Sequence, residues 1–140
     1  MSRCRLVIHG GAGVIDRASL TAEREAEFRR ALNAIAADAY ARLQTGASAI
    51  DVVEHAVMAL EDFPLFNAGH GAVLNADGVA ELDASIMDGA TRAAGAIAAA
   101  RTPRNPIQLA RAVMDRTEHV LLAGAGTDRL AAELGLPQVG

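Results

Sequence analysis

Chemistry in this chain has to come from a short set of residues. Arg5 to Ile15 read RLVIHGGAGVI, where His9, Gly10, Gly11 and Gly13 follow three apolar residues. Glycine lets backbone N–H groups approach an anion, so a phosphate is the first ligand to test. The spacing does not fit a dinucleotide fingerprint, no helix start follows until Thr21, and the sequence has no lysine to complete a P-loop. Two readings remain: a sharp turn that needs positive φ, or a backbone wall against which a reacting group sits close.

The other candidates are sparse. His9, His55, His70 and His119 share no metal-ligand spacing. His55 falls on a helix among solvated positions, His119 starts a strand, and the His9 ring is expected to make a structural hydrogen bond. Glu81, Asp83 and Asp88 could pass for an acid/base pair, but Asp88 lies in a turn where aspartate bonds its own backbone, and structural roles are expected for all three. Asn67, in FNAGHGAVLN, is the one amide expected to be buried near glycines. No Ser–His–Asp arrangement and no nucleophile can be assigned. Supporting parts without a reacting residue point to part of an enzyme.

The elements that must position these residues are legible from periodicity. Leu6, Val7 and Ile8 read as a buried strand. Thr21 caps a helix carrying Glu23 and Glu25 in its first turn, with Phe28, Ala31, Leu32, Ile35, Ala36, Ala39 and Leu43 as its apolar stripe and Gly46 as its stop. Ser48 caps a second helix, with Asp51 three residues on and Val52, Val53, Ala56, Val57 and Leu60 facing inward. Glu61 to Asn75 has no period. Ala72 to Leu74 reads as a short strand before an Asp77-Gly78 hairpin turn. Ala80, Leu82, Ala84 and Ile86 alternate with Glu81, Asp83, Ser85 and Met87, a strand pattern. Asp88-Gly89 turns the chain into a second strand over Arg92 to Ala100, although that alanine-rich stretch could pass for a helix. Asn105 and Pro106 open a helix with Ile107, Ala110, Val113 and Met114 inward. EHVLLAGAG reads as a buried strand running into glycines, and Thr127 to Leu134 as a last helix ended by Gly135. The expectation is one compact α+β domain over residues 1–140.

Composition narrows the class. The 140 residues are 51% hydrophobic but only 3% aromatic, so alanine and branched aliphatics must fill the core. A net charge of −4 offers no basic patch for nucleic acid. All 13 cationic residues are arginine, which also removes Schiff-base chemistry on lysine. Cys4 is the single cysteine, so no internal disulfide can form. With no signal-like N-terminus and no long apolar run, a cytoplasmic protein is expected.

VIHGGAG, LEDFPLFNAGHGAVLN, ELDASIMDG, AGAIAAARTPRNPIQLAR and HVLLAGAG stand in the order seen in the plant-type L-asparaginase / isoaspartyl peptidase family, which the chain resembles from Leu6 to about Pro137. LDASIMDG is shared with glycosylasparaginases and does not discriminate by itself. The resemblance implies a four-layer αββα sandwich of the N-terminal-nucleophile hydrolase type, with this chain supplying about half. It implies a precursor that cuts itself into an α subunit like this chain and a β subunit starting with the nucleophilic threonine, two αβ units pairing as (αβ)2. No threonine here fits that role. The resemblance assigns Asn67 to orienting the nucleophile's amine, and Gly10 and Gly11 to lining the nucleophile. It also implies a sodium or potassium ion held by the carbonyls of Leu60, Glu61, Phe63, Phe66, Ala68 and His70, with no cofactor needed for catalysis. Family autocleavage follows a glycine, so Gly140 could be the scission residue. The polar linker usual there is longer, and the sequence is expected to stop ahead of it. The alternatives are a glycosylasparaginase, against which HGGAG argues, or a non-catalytic binding domain of the same fold.

Overall fold

The computed structural model describes residues 4–11, 18 and 20–139. Gly13 of the glycine run and Gly140 lie outside them. Among the described residues the chain is a mixed α/β domain with four α-helices and a three-stranded sheet.

Helices α1 (Ala22–Gln44) and α2 (Ala49–Glu61) start where their caps dictate. The Thr21 hydroxyl accepts the Arg24 N–H at 3.2 Å, and Gly46 at φ 95° leaves α1. At α2 the Ser48 hydroxyl accepts the Asp51 N–H at 3.2 Å and donates to the Asp51 carboxylate at 2.6 Å. The two helices pack through Ala39, Val52 and Ala56, a small cluster flanked by Leu6, Ile35 and Leu43. Of the expected inward face of α2, Val53 instead points outward. His55, expected to be solvated, places Nε2 2.6 Å from Asp38 Oδ2, which also takes an N–H from Arg42 at 2.9 Å. Arg42, and then His55, hold the Asp38 carboxyl below its ordinary range.

Strands β1 (Leu82–Met87) and β2 (Ala94–Ala100) form an antiparallel hairpin over the Asp88 turn. Leu82 and Ile86 of β1 are buried while Asp83, Ser85 and Met87 face out, as the alternation requires. Strand, not helix, is therefore the fate of the alanine run. The register slips between Leu82 and Ala84, and the bulge carries Ala99 at φ 53°, with its N–H donated to Asp83 Oδ1 at 2.8 Å. Helix α3 (Pro106–Arg116) crosses back so that β3 (Leu121–Ala123) pairs parallel to β2, and α4 (Ala125–Glu133) follows. The main core joins Ile86, Ile97, Ala100, Ile107, Leu109, Ala110, Val113 and Ala131. Gly95 makes this close approach feasible: a Cβ there would overlap the Ala110 carbonyl oxygen and stand 2.5 Å from the Met114 nitrogen.

Three strand expectations change. Leu6 to Ile8 alternates between half-buried and exposed, with Val7 outermost, but pairs with no described strand, because apolar alternation alone cannot supply a ladder. Ala72 to Leu74 reduces to one bridge, Leu74 to Ala80, around the Asp77-Gly78 turn. The strand after His119 is an edge strand, with Val120 and Leu121 exposed where burial was expected. The last helix begins at Ala125, two residues before Thr127, and Gly135 at φ 66° ends it as expected.

Candidate active-site wall and carbonyl loop

Two loops meet at the N-terminal end of the fold. In the first, Gly11 takes φ 114°, a conformation that favours glycine, and its N–H donates to His9 Nδ1 at 3.2 Å. That is the structural bond expected of His9. Gly10 is pressed on the second loop: a Cβ there would lie 2.9 Å from Phe66 Cε1 and 3.0 Å from Leu32 Cδ2. Gly10, Gly11, Phe28, Leu32 and Phe66 line part of a cavity of about 630 Å3, rimmed by Glu25 and Arg29.

The second loop runs from the end of α2 to the 3-10 turn Gly69–Gly71. Its carbonyls are not wholly free, as its lack of period suggested. Leu60 O accepts from Phe63 N at 3.3 Å, Phe63 O from Phe66 N at 3.3 Å, Phe66 O from Ala68 N at 2.8 Å, and Ala68 O from Gly71 N at 3.0 Å. These are turn bonds, and a carbonyl oxygen has a second lone pair. The loop is tight enough to need its glycines. A Cβ on Gly71 would overlap the Phe66 carbonyl oxygen and stand 2.8 Å from that of Pro64; one on Gly69 would stand 2.7 Å from Glu61 Cβ. Main-chain oxygens of Pro64 and Phe66 thus crowd one short stretch. Among the described residues no three His, Cys, Asp or Glu side chains group as a metal site. The donor set on offer is hard backbone oxygen, which fits an alkali cation and not zinc. His70 is exposed and Ala68 half-buried.

Asn67 is exposed, where burial was expected. Its Oδ1 accepts the Val73 N–H at 2.9 Å, so the side chain is tied to its own loop and the amide plane has a fixed direction. Glu61 is the feature that sequence reasoning missed as a side chain. It is 2% exposed, with Oε1 accepting the Ile107 N–H at 3.0 Å while Oε2 has no hydrogen-bond partner among the described residues. Burial pushes its carboxyl up to about 7. Glu61 therefore caps α3 in place of Asn105, whose side chain makes no capping bond and turns instead to Asp62 Oδ1 at 3.3 Å. A buried glutamate closing one helix and starting another has no local sequence signature.

The remaining carboxylates are structural, as expected. Asp88 Oδ1 accepts Ala90 N–H at 2.9 Å, Asp83 holds the bulge, and Glu81 pairs with Arg101 at 2.5 Å. His119 is exposed and precedes β3.

With wall and loop placed against each other, relatedness decides the family. The asparaginase family profile matches residues 2–140. The chain belongs to the asparaginase family. An isoaspartyl peptidase of Salmonella typhimurium is 46% identical over 139 residues, covering 99% of this chain and 44% of its own. The Escherichia coli isoaspartyl peptidase is 45% identical over 139 residues (99% and 43%), and the Mus musculus isoaspartyl peptidase/L-asparaginase 45% over 134 residues (96% and 40%). The chain thus spans less than half the length of these curated relatives. Within the family, His9 to Gly11 of HGGAG and the FNAGHGAVLN segment fall on the two loops that pack at Gly10 and Phe66. No helix among the described residues is long and apolar enough to cross a membrane.

Proposed function

We propose that this chain is the α part of a cytoplasmic, autocleaved amidohydrolase that acts on L-asparagine and β-aspartyl dipeptides. The observation that carries this reading is the packing of Gly10 on Phe66, beside Asn67, in a chain whose relatives are named isoaspartyl peptidases. A threonine at the start of the partner β chain supplies the nucleophile. Its hydroxyl oxygen attacks the side-chain carbonyl of the substrate. Its own α-amine takes the proton and passes it to the departing nitrogen, and water then hydrolyses the ester. Gly10 and Gly11 form the backbone wall beside that threonine, and Asn67 aims the amine. The outer sheet face exposes Met87 and Leu121, which suits burial under a second sheet in a four-layer αββα sandwich and pairing as (αβ)2.

The complete precursor should split into two fragments, the second starting with threonine, and should release aspartate from β-aspartyl dipeptides. N-terminal sequencing and steady-state hydrolysis check both. An uncleaved, inactive protein overturns the reading. Release of aspartate from glycosylated asparagine alone would favour the glycosylasparaginase alternative.

The carbonyls of Leu60, Glu61, Phe63, Phe66, Ala68 and His70 would hold a sodium or potassium ion that stiffens the loop. Since the donors are main chain, His70→Ala should keep the ion. Thermal unfolding of the precursor should rise with sodium or potassium over a bulky organic cation, by the same increment in His70→Ala. Loss of the increment in that variant, or a larger one from zinc, rules out a carbonyl ring.

A further inference from the structure

We infer that Phe66 is a positioning residue: its ring sets how far the Gly10–Gly11 wall stands from the nucleophile. This rests on the amidohydrolase reading above and adds a residue to it.

The geometry converges on one ring. Phe66 is 4% exposed, and its edge carbons face Gly10, at 2.9 Å and 3.3 Å from where a Cβ would be. The ring fills the space a Cβ would take, so it packs directly against the glycine backbone and a shift of the ring alters that seat. The ring cannot drift independently. It meets Phe28 edge to face, centroids 6.0 Å apart at 64°, and Phe63 at 5.8 Å. Its backbone is held on both sides, by the Phe66 N–H to Phe63 O and the Ala68 N–H to Phe66 O. The residue after it is Asn67, tied to Val73. The two proposed supports of the nucleophile, glycine wall and amide, therefore share one anchor. Phe66 touches neither substrate nor nucleophile in this scheme.

A misplacement of about 1 Å in such a support costs on the order of a hundredfold in rate, so a partial shift should be measurable. In the cleaved full-length enzyme, Phe66→Leu is expected to lower kcat on a β-aspartyl dipeptide roughly five- to twentyfold while KM stays within about twofold. Val113→Ala, fully buried in the separate sheet core, should lower thermal stability at least comparably while keeping kcat. A merely structural ring would move both variants in parallel. Gly10→Ala should also lower kcat, and Gly10→Ala with Phe66→Leu should recover part of the loss, because the smaller side chain clears space for the new Cβ. If Phe66→Leu does not fold, methionine at the same position, flexible and of similar volume, replaces it in the comparison. Parallel kcat losses in the Phe66 and Val113 variants, wild-type kcat in Phe66→Leu, or strictly multiplicative losses in the double variant overturn the positioning role. An inactive wild type overturns instead the reading it rests on.

Discussion

Alanine in place of Gly71 is expected to cost about 3 kcal/mol or more and to abolish most activity of the complete enzyme. The cause is backbone against backbone. The added methyl would overlap the Phe66 carbonyl oxygen and stand 2.8 Å from the Pro64 oxygen. No side chain can rotate aside to relieve this, so the loop has to open. Opening breaks the turn bonds from Phe66 N to Phe63 O and from Gly71 N to Ala68 O, and moves the ring under Gly10. Gly71 is not held at positive φ, so conformational strain adds nothing to the effect. Gly78 makes a fair control: it sits at φ 75° in the hairpin turn with no described atom within 4 Å of its Cβ position, and alanine there costs only local strain. Thermal unfolding of both variants separates the cases. A Gly71→Ala variant as stable and active as wild type would mean that the loop gives way easily.

The second large effect is expected at Asn67. Asn67→Ala should lower kcat roughly ten- to a hundredfold with a smaller change in KM, because orientation acts on the reacting group and not on substrate capture. The Val73 N–H is part of the argument, since it fixes which way the amide points. Asn67→Asp keeps an acceptor for Val73 and so keeps the loop, while adding a negative charge beside the nucleophile's amine. That charge favours the ammonium form and raises the amine's pKa. The base must be neutral to take the hydroxyl proton, so the active fraction is reached only at higher pH and the optimum moves upward. Steady-state hydrolysis of a β-aspartyl dipeptide across pH by the two cleaved variants measures this. Wild-type kcat in Asn67→Ala, with only KM altered, would remove Asn67 from the positioning of the nucleophile.

What could be read from the residues divides by the range of the interaction. The caps at Thr21 and Ser48, the glycine stops at Gly46 and Gly135, and the alternation from Leu82 to Met87 are local, and the structure carries each of them. Failures came where a distant partner decides. Leu6 to Ile8 has strand residues but no described strand to bond, and among the described residues Leu121–Ala123 pairs on one side only, with Leu121 exposed and Leu122 half-buried. Asn67 looked buried because glycines and phenylalanines surround it in sequence, yet those neighbours fold beneath the loop and leave the amide on its surface. Glu61 was read only as a carbonyl donor. Its buried side chain starts α3 from 46 residues away, a relation that no local pattern encodes.

The two core clusters do not share a buried residue: the Ala39–Val52–Ala56 seam belongs to the helical hairpin, and the larger cluster to the sheet with α3 and α4. Among the described residues, helix α1 is fastened to α2 by that seam with its Ile35 and Leu43 flanks and by the Asp38–His55 contact, and to the second loop by Phe28 on Phe66. Because the sheet core shares no buried residue with this seam, release of α1 is expected to lie below global unfolding on the ladder of native-state openings. Leu32 of α1 is also one of the two side chains that pin Gly10. Each such excursion would take away one of the two side chains beside the glycine backbone while the sheet stays intact, so amide exchange at Gly10 and Gly11 is expected to follow α1 and not the core.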